Sequence, residues 1–158
     1  MSRYDGLLFL HVLGAFALVA ALTLLSIVIV ATWRAERPSD IAAFAGITRV
    51  GGLLLNVGSA MTIVFGIWLA IDLDQYRVWD GWVIAAIVLW AIGVETGRRS
   101  ADAYRKIGAE AGRLAQSDDS PSPALRTRVR SGQAVGLQLA STAAVLVILV
   151  DMIWKPGA

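Results

Sequence analysis

The chain contains a single histidine, His11, and it lies inside a long run of apolar residues. An ionisable side chain in such a run is a candidate functional group, because burying it costs several kcal/mol unless it has a partner. On a helix, His11 shares a face with Gly14, Ala15 and Leu18, which leave room beside the ring. Three chemistries stay open for it: a structural hydrogen bond between helices, ligation of haem or a metal, and a proton-relay or quinone-type site.

Two residues near the end of the last apolar run lie at a depth similar to that of His11. Asp151 is predicted to support the imidazole, because a carboxylate partner fixes the tautomer and raises the basicity of the ring. A haem with one histidine takes a methionine, an open position or the histidine of a second copy as its other ligand. In the haem b hypothesis, His11 is the iron ligand and Met152 is the second cofactor-binding residue, Met61 being the other methionine inside a span.

A second set of polar residues lies at the opposite depth of the apolar runs. These residues are predicted to join the second and fourth spans by hydrogen bonds, or alternatively to line a water-filled vestibule. The set consists of Asn56, Ser59, Glu95, Gln133, Gln138, Ser141 and Thr142. For Glu95 the alternative is an ion pair with the arginines that follow it by three and four residues.

Several kinds of site are excluded by what the sequence lacks. With no cysteine and one histidine, one copy of the chain offers no thiolate metal site, disulfide or multi-histidine site. Phosphate-binding glycine loops, a serine nucleophile elbow and paired carboxylates inside the spans are also missing. These absences favour a protein that is not an enzyme.

The elements that must position these residues are membrane helices. The chain of 158 residues is 57% hydrophobic and 16% charged, whereas soluble domains carry about 25% charged residues. Four apolar windows approach or exceed the roughly 20 residues that cross a bilayer as a helix. They cover residues 6–33, 50–71, 78–97 and 131–154, within one transmembrane domain over 1–158.

The basic residues predict the orientation of these spans. Three lie at the N-terminus, between spans two and three, and at the C-terminus: Arg3, Arg77 and Lys155. Eleven lie in the other two loops: Arg34, Arg37, Arg49, Arg98, Arg99, Arg105, Lys106, Arg113, Arg126, Arg128 and Arg130. Since cytoplasmic loops carry the excess of Lys and Arg, both termini are expected outside the cytoplasm. The basic loops offer few aromatic residues for stacking on bases, so nucleic acid is not an expected partner.

The third span is predicted to continue as a helix beyond the membrane. Tyr104, Ile107, Ala111 and Leu114 form a narrow apolar stripe within the charged segment 98–116. The segment 117–123 then interrupts the helix, with Ser122 as a cap and Pro123 opening the next helix. Ser39 or Asp40 is expected to cap the helix that leads into span two. The predicted fold is all-α: an up-down four-helix bundle with a cytoplasmic helical extension between helices three and four.

Rows of small residues predict where the helices approach closely, because association in lipid depends on packing and polar contacts. One row contains Gly58, Thr62 and Gly66, and another contains Gly93 and Gly97. A third row follows span four at four-residue spacing, with Gly132, Gly136, Ala140 and Ala144. These rows are predicted to pack within the chain, with a homodimer through the third row as the alternative.

Residues 4–16, Tyr-Asp-Gly-Leu-Leu-Phe-Leu-His-Val-Leu-Gly-Ala-Phe, resemble the first helix of an uncharacterised family of small bacterial integral membrane proteins. More distantly, the chain resembles the membrane domain of copper-resistance protein D and the four-helix protoporphyrinogen oxidases. The likeness covers the chain in length and span layout, and Leu-His-Val-Leu-Gly is its specific element. In the haem-associated relatives the first-helix histidine is a haem ligand, so the resemblance implies that role for His11.

The sequence departs from those relatives at two points. The oxidases carry a lysine in the third helix, whereas the lysines here are Lys106 and Lys155. No cluster of methionine and histidine accompanies His11, so copper transport lacks its usual ligands.

These observations predict a protein of the bacterial inner membrane that binds a cofactor or is redox-associated, with haem b as the cofactor in the favoured hypothesis. The alternatives are a structural or assembly subunit that binds another membrane protein, and an oligomeric channel or transporter.

Overall fold

The computed structural model describes residues 2–72 and 79–155. Its helices are α1 (Arg3–Arg34), α2 (Pro38–Asp72), α3 (Gly81–Ser117), α4 (Pro123–Val129) and α5 (Gly132–Trp154), with no strand in the part of the chain described. Four stretches are long and apolar enough to cross a membrane: α1, α2 as far as Ile71, α3, and residues 123–154. The predicted all-α four-helix bundle is confirmed; Arg77 and Val78 lie outside the described residues.

The helix ends follow from local sequence, with one correction. Ser122 accepts a hydrogen bond from the Leu125 amide and Pro123 opens α4, as predicted. However, α2 begins at Pro38, two residues earlier than a cap at Ser39 requires and three earlier than a cap at Asp40 requires. Proline suits the first helical position because its ring already has a helical φ angle. The Ser39 amide and hydroxyl instead donate to Asp119 (2.8 and 2.7 Å), which lowers the pKa of that exposed carboxyl.

The bundle consists of two antiparallel helix pairs. α1 packs along α2 and α3 packs along α5, while α2 and α3 join the pairs and α1 and α5 make few contacts. In the first pair, a Cβ at Gly58 would lie 2.8 Å from the Leu18 amide nitrogen and 2.9 Å from the Gly14 carbonyl oxygen. The predicted small-residue row of span two is therefore a packing seam within the chain.

The second pair is joined through Gly93 and Gly97, again as the small residues predict. The Ser141 hydroxyl donates to the Gly93 carbonyl (2.9 Å), and a Cβ at Gly97 would lie 3.0 Å from that hydroxyl oxygen. One turn further along, the Ser100 hydroxyl donates to the Ala134 carbonyl (2.9 Å). These buried bonds give α3 and α5 a fixed register.

The row on span four divides into two parts. Ala144 is buried and contacts the Cβ position of Gly93. Gly132, Gly136 and Ala140 are exposed, and within the described part of the chain no atom from another helix lies within 4 Å of a Cβ at either glycine. The prediction of packing within the chain is thus right for Ala144 and wrong for the other three.

A hydrophobic core lies at the end of the bundle that carries most of the charged residues. We call it the cap core; it comprises Ile29, Ile41, Tyr104, Ile107, Ala111, Leu125, Val129 and Ala134. The predicted stripe on the extension of α3 faces this core, with Leu114 packed at its edge. The Trp33 indole N–H donates to the Val129 carbonyl (2.9 Å), so α1 is tied to α4. The helical extension is therefore packed against the bundle.

Candidate functional site

His11 is held against α2 by a hydrogen bond and by a glycine. Its Nδ1 lies 2.9 Å from the Thr62 carbonyl oxygen. A Cβ at Gly66 would lie 2.9 Å from His11 Cε1 and 3.0 Å from Nδ1, so the ring fits here because residue 66 has no side chain. A carbonyl oxygen has no proton to give, so Nδ1 is the donor. In the neutral ring, the lone pair is then on Nε2, the nitrogen that is left for a ligand.

The side chain of His11 lines a cavity of about 1040 Å³ between α1, α2, α3 and α5. The size is at the upper end of the roughly 300–1,000 Å³ that small-molecule sites occupy. One end of the cavity is lined by Tyr4, Met152 and Lys155, and the other by Arg49 and Arg105. Most of the wall between these ends is apolar. The cavity therefore runs along the membrane-spanning part of the bundle and has polar groups at both ends.

Contacts between helices show which part of α3 lies at the depth of His11. His11 contacts Gly66, and Gly66 lies two turns beyond Ser59 on α2. The Ser59 hydroxyl accepts a hydrogen bond from the Trp90 indole N–H of α3 (2.7 Å). Because α2 and α3 are antiparallel, Gly66 is level with the first turn of α3.

The same level on α5 is occupied by Met152. Trp82, in the first turn of α3, has the Lys155 ammonium 5.7 Å from its ring centroid. Met152 precedes Lys155 by about one turn, so it lies at nearly the depth of His11 and lines the same cavity. Met61, in contrast, packs against the Cβ position of Gly14 between α1 and α2. Of the two methionines considered from sequence, only Met152 shares the cavity with His11.

The hydrogen-bonded pair of His11 and Asp151 that the sequence suggests is not formed. His11 Nδ1 is bonded to the Thr62 carbonyl, and Asp151 does not line the cavity. Asp151 is buried, and its Oδ2 has no hydrogen-bond partner among the described residues. Although the two residues have similar depths, their side chains face different surroundings.

The second polar set does not join the second and fourth spans. Asn56 and Ser59 line the cavity, and Ser59 is bonded to Trp90 of α3. Ser141 is bonded to α3 as well, so α3 separates the two helices that these residues were expected to connect. Gln138 is buried outside the cavity wall, and its Nε2 has no partner in the described ranges 2–72 and 79–155.

The remaining members of that set lie away from the cavity. Glu95 accepts hydrogen bonds from Arg98 (3.0 Å) and Arg99 (2.6 Å), the alternative that its spacing suggested. Thr142 and Gln133 lie on α5 outside the cavity wall as described. Only Asn56 and Ser59 of the set therefore remain candidates for contact with a ligand.

Three features of the site escape sequence reasoning. The Thr62 carbonyl is a backbone group, so the residue type gives no indication that it accepts a hydrogen bond from His11. Gly66 was noticed as a member of a packing row, but not as the residue that accommodates an imidazole. Trp90 lines the cavity and donates to Ser59, and it is not among the site residues predicted from the sequence. Its position deep inside a span, away from the interface that tryptophan prefers, was the available signal.

A family model described as a predicted integral membrane protein, DUF2269, matches residues 6–156 of this chain. The chain belongs to this family. It is accordingly an integral membrane protein, and the matched region includes His11, Met152 and all of the cavity wall except Tyr4. No curated protein and no solved structure matches the chain.

Proposed function

We propose that this DUF2269 protein binds haem b, with His11 Nε2 as one iron ligand and Met152 as the other. The proposal rests on one observation: both side chains line the same cavity at nearly the same depth, and Nδ1 of His11 is already bonded to the Thr62 carbonyl. Such a bond to the non-ligating nitrogen is the usual support for a ligating histidine. The group would supply one-electron redox chemistry.

The end of the cavity next to His11 suits the other parts of this cofactor. Its walls include Leu8, Val83 and Leu149, which are apolar like a porphyrin ring. Tyr4 and Lys155 line the same end, and a phenol and an ammonium group are suitable partners for the two haem carboxylates. This chain would therefore hold the ring by apolar contact and orient it by polar contact at the membrane boundary.

The absorbance spectrum of detergent-purified protein from haem-supplied cells tests the proposal. Wild type is expected to show a Soret band, with a sharp α band on reduction by dithionite. His11→Ala is expected to bind about tenfold less haem than wild type, because one iron ligand is removed. Added imidazole should restore the Soret band. Met152→Leu should keep haem with an altered spectrum.

Asp151→Asn is the matched control, since Asp151 is near the same depth but outside the cavity wall. Its haem content should equal that of wild type, while circular dichroism verifies that every variant is folded. A colourless wild type, or a His11→Ala protein that keeps the full Soret band, would contradict the proposal.

For the orientation, we propose that both termini lie outside the cytoplasm in the plasma membrane, from the positive-inside rule. The chain has no cysteine, so single cysteines report on each side without background. In intact cells, Ser2→Cys should react with a membrane-impermeant maleimide, and Ser120→Cys, also exposed, should react only after lysis. The opposite pattern would place the termini inside.

A second function, assembly with another membrane helix, is supported by a different surface. Gly132, Gly136 and Ala140 form an exposed row on α5, and no neighbouring side chain among the described residues lies within 4 Å of a Cβ at either glycine. Small residues at this spacing allow two helix backbones to approach closely in lipid. The partner would be a second copy of the chain or a helix of another membrane protein.

A further inference from the structure

The end of the cavity opposite His11 is lined by three arginines and one carboxylate. Arg49 belongs to α2, while Arg98, Asp102 and Arg105 belong to α3. Arg98 and Arg105 both pair with Asp102, and Arg98 also pairs with Glu95. Arg49 has no ion pair among the described residues. The cavity wall at this end therefore carries a surplus of positive charge.

Contacts between α2 and α3 place Arg49 beside the stretch of α3 that carries the other charges. Ala45 lies against the Cβ position of Gly108, and Ser59 is bonded to Trp90. Arg49 lies between Ala45 and Ser59 on α2, so it is level with the charged stretch of α3 that lies between Trp90 and Gly108. The arginines consequently surround one end of the cavity.

An apolar channel leads away from this charged end toward the middle of the bundle. Its wall includes Leu53, Leu55 and Val94. Leu53 is 67% exposed and Val94 is 42% exposed, so the gap between α2 and α3 is open to the surrounding lipid. An apolar gap gains contact energy when hydrocarbon fills it and offers water too few polar partners. Its natural occupant is an acyl chain.

We infer that this part of the cavity binds an anionic phospholipid, with the phosphate at Arg49, Arg98 and Arg105 and an acyl chain between α2 and α3. Charge complementarity selects the headgroup, and the apolar wall selects the tail. The Trp90–Ser59 bond crosses the cavity between this position and the His11 end. The lipid site is thus separate from the proposed haem site and does not depend on it.

Native mass spectrometry of the purified protein, titrated with phosphatidylglycerol or phosphatidylcholine, tests the inference. Wild type should retain phosphatidylglycerol with clear preference. Arg49→Gln is expected to weaken its binding about fivefold, the factor that corresponds to one basic residue near an anionic lipid surface. Arg49→Lys should keep most of the affinity because it keeps the charge.

Arg113→Gln is the matched control, an equal loss of charge at an exposed α3 residue outside the cavity wall. Its affinity should stay within twofold of wild type. Equal retention of both lipids, or an equal loss in both glutamine variants, would overturn the inference. Competition by millimolar inorganic phosphate would also overturn it, since it would indicate a site for a free anion.

A second measurement tests the position of the acyl chain. Phosphatidylglycerol with brominated acyl chains should quench tryptophan fluorescence in nanodiscs more strongly in wild type than in Trp90→Phe, because Trp90 lines the channel. Equal quenching in both would contradict an acyl chain at this position. His11→Ala should bind the lipid like wild type, so failure of the haem proposal leaves this result unaffected.

Discussion

Gly58→Ala is expected to destabilise the transmembrane bundle by about 1–3 kcal/mol, the usual cost of overpacking a close-packed interface. The added Cβ would lie 2.8 Å from the Leu18 amide nitrogen, 2.9 Å from the Gly14 carbonyl oxygen and 3.1 Å from the Ala17 Cβ. The first two are backbone atoms, which cannot move aside by changing a rotamer. Substitution therefore forces α1 and α2 apart along the whole seam.

The measurement is the apparent unfolding temperature of purified protein in detergent, followed by tryptophan fluorescence. Gly52→Ala is the control, because it lies on the same helix and nothing lies within 4 Å of its Cβ position. Alanine is favoured over glycine in a helix by about 1 kcal/mol, so this control should be neutral or slightly stabilised. Equal unfolding temperatures for the two variants would show that the seam at Gly58 is looser than described.

The contrast between the two glycine-containing rows shows how far the sequence predicts the fold. Gly58 and Gly136 both belong to rows of small residues at four-residue spacing. Gly58 meets the backbone of α1, whereas Gly136 faces outward from the bundle. A motif of small residues specifies that a close approach is feasible, but the rotation of each helix decides which row is used. Hydropathy determines depth and says little about rotation.

The same distinction explains the candidate site. The sequence predicts only that Asp151 and Met152 lie near the depth of His11. The register of the helices in the structure confirms this depth for Met152. Rotation then separates the two neighbours on α5: Met152 lines the cavity and Asp151 is buried elsewhere. Consecutive residues on a helix point about 100° apart, so only one of them was able to face His11. A prediction based on depth had no means of choosing between them.

The buried face of the cap core was easier to predict, because water surrounds the charged helix that carries it. Tyr104, Ile107 and Ala111 stand out as apolar residues among charges, and that contrast identifies the buried face of a helix. Within the spans nearly every residue is apolar, so the contrast is lost. The residues of α1, α2 and α4 that pack against this stripe could be identified only from the structure, since they come from distant parts of the chain.

Leu125→Ala is expected to destabilise the cap core by about 2–5 kcal/mol, the range for truncating a buried leucine. Leu125 is 1% exposed and belongs to the cap core. The loss has two parts: less apolar surface is removed from water, and a cavity remains in the cap core. Since α4 has only seven residues, it depends on this packing more than on its own hydrogen bonds.

Hydrogen–deuterium exchange of purified protein is the measurement that locates this effect. In Leu125→Ala, amides of α4 should exchange at least tenfold faster than in wild type, while those of α1 and α2 around the Gly14–Gly58 seam keep their protection. Leu139→Ala is the matched control, because Leu139 is 64% exposed on the transmembrane helix α5 and loses contacts with lipid rather than with a protein core. It should leave α4 unchanged. Uniformly faster exchange throughout the Leu125→Ala protein would mean that the cap core and the membrane bundle unfold as one cooperative unit, and would contradict the local effect expected at α4.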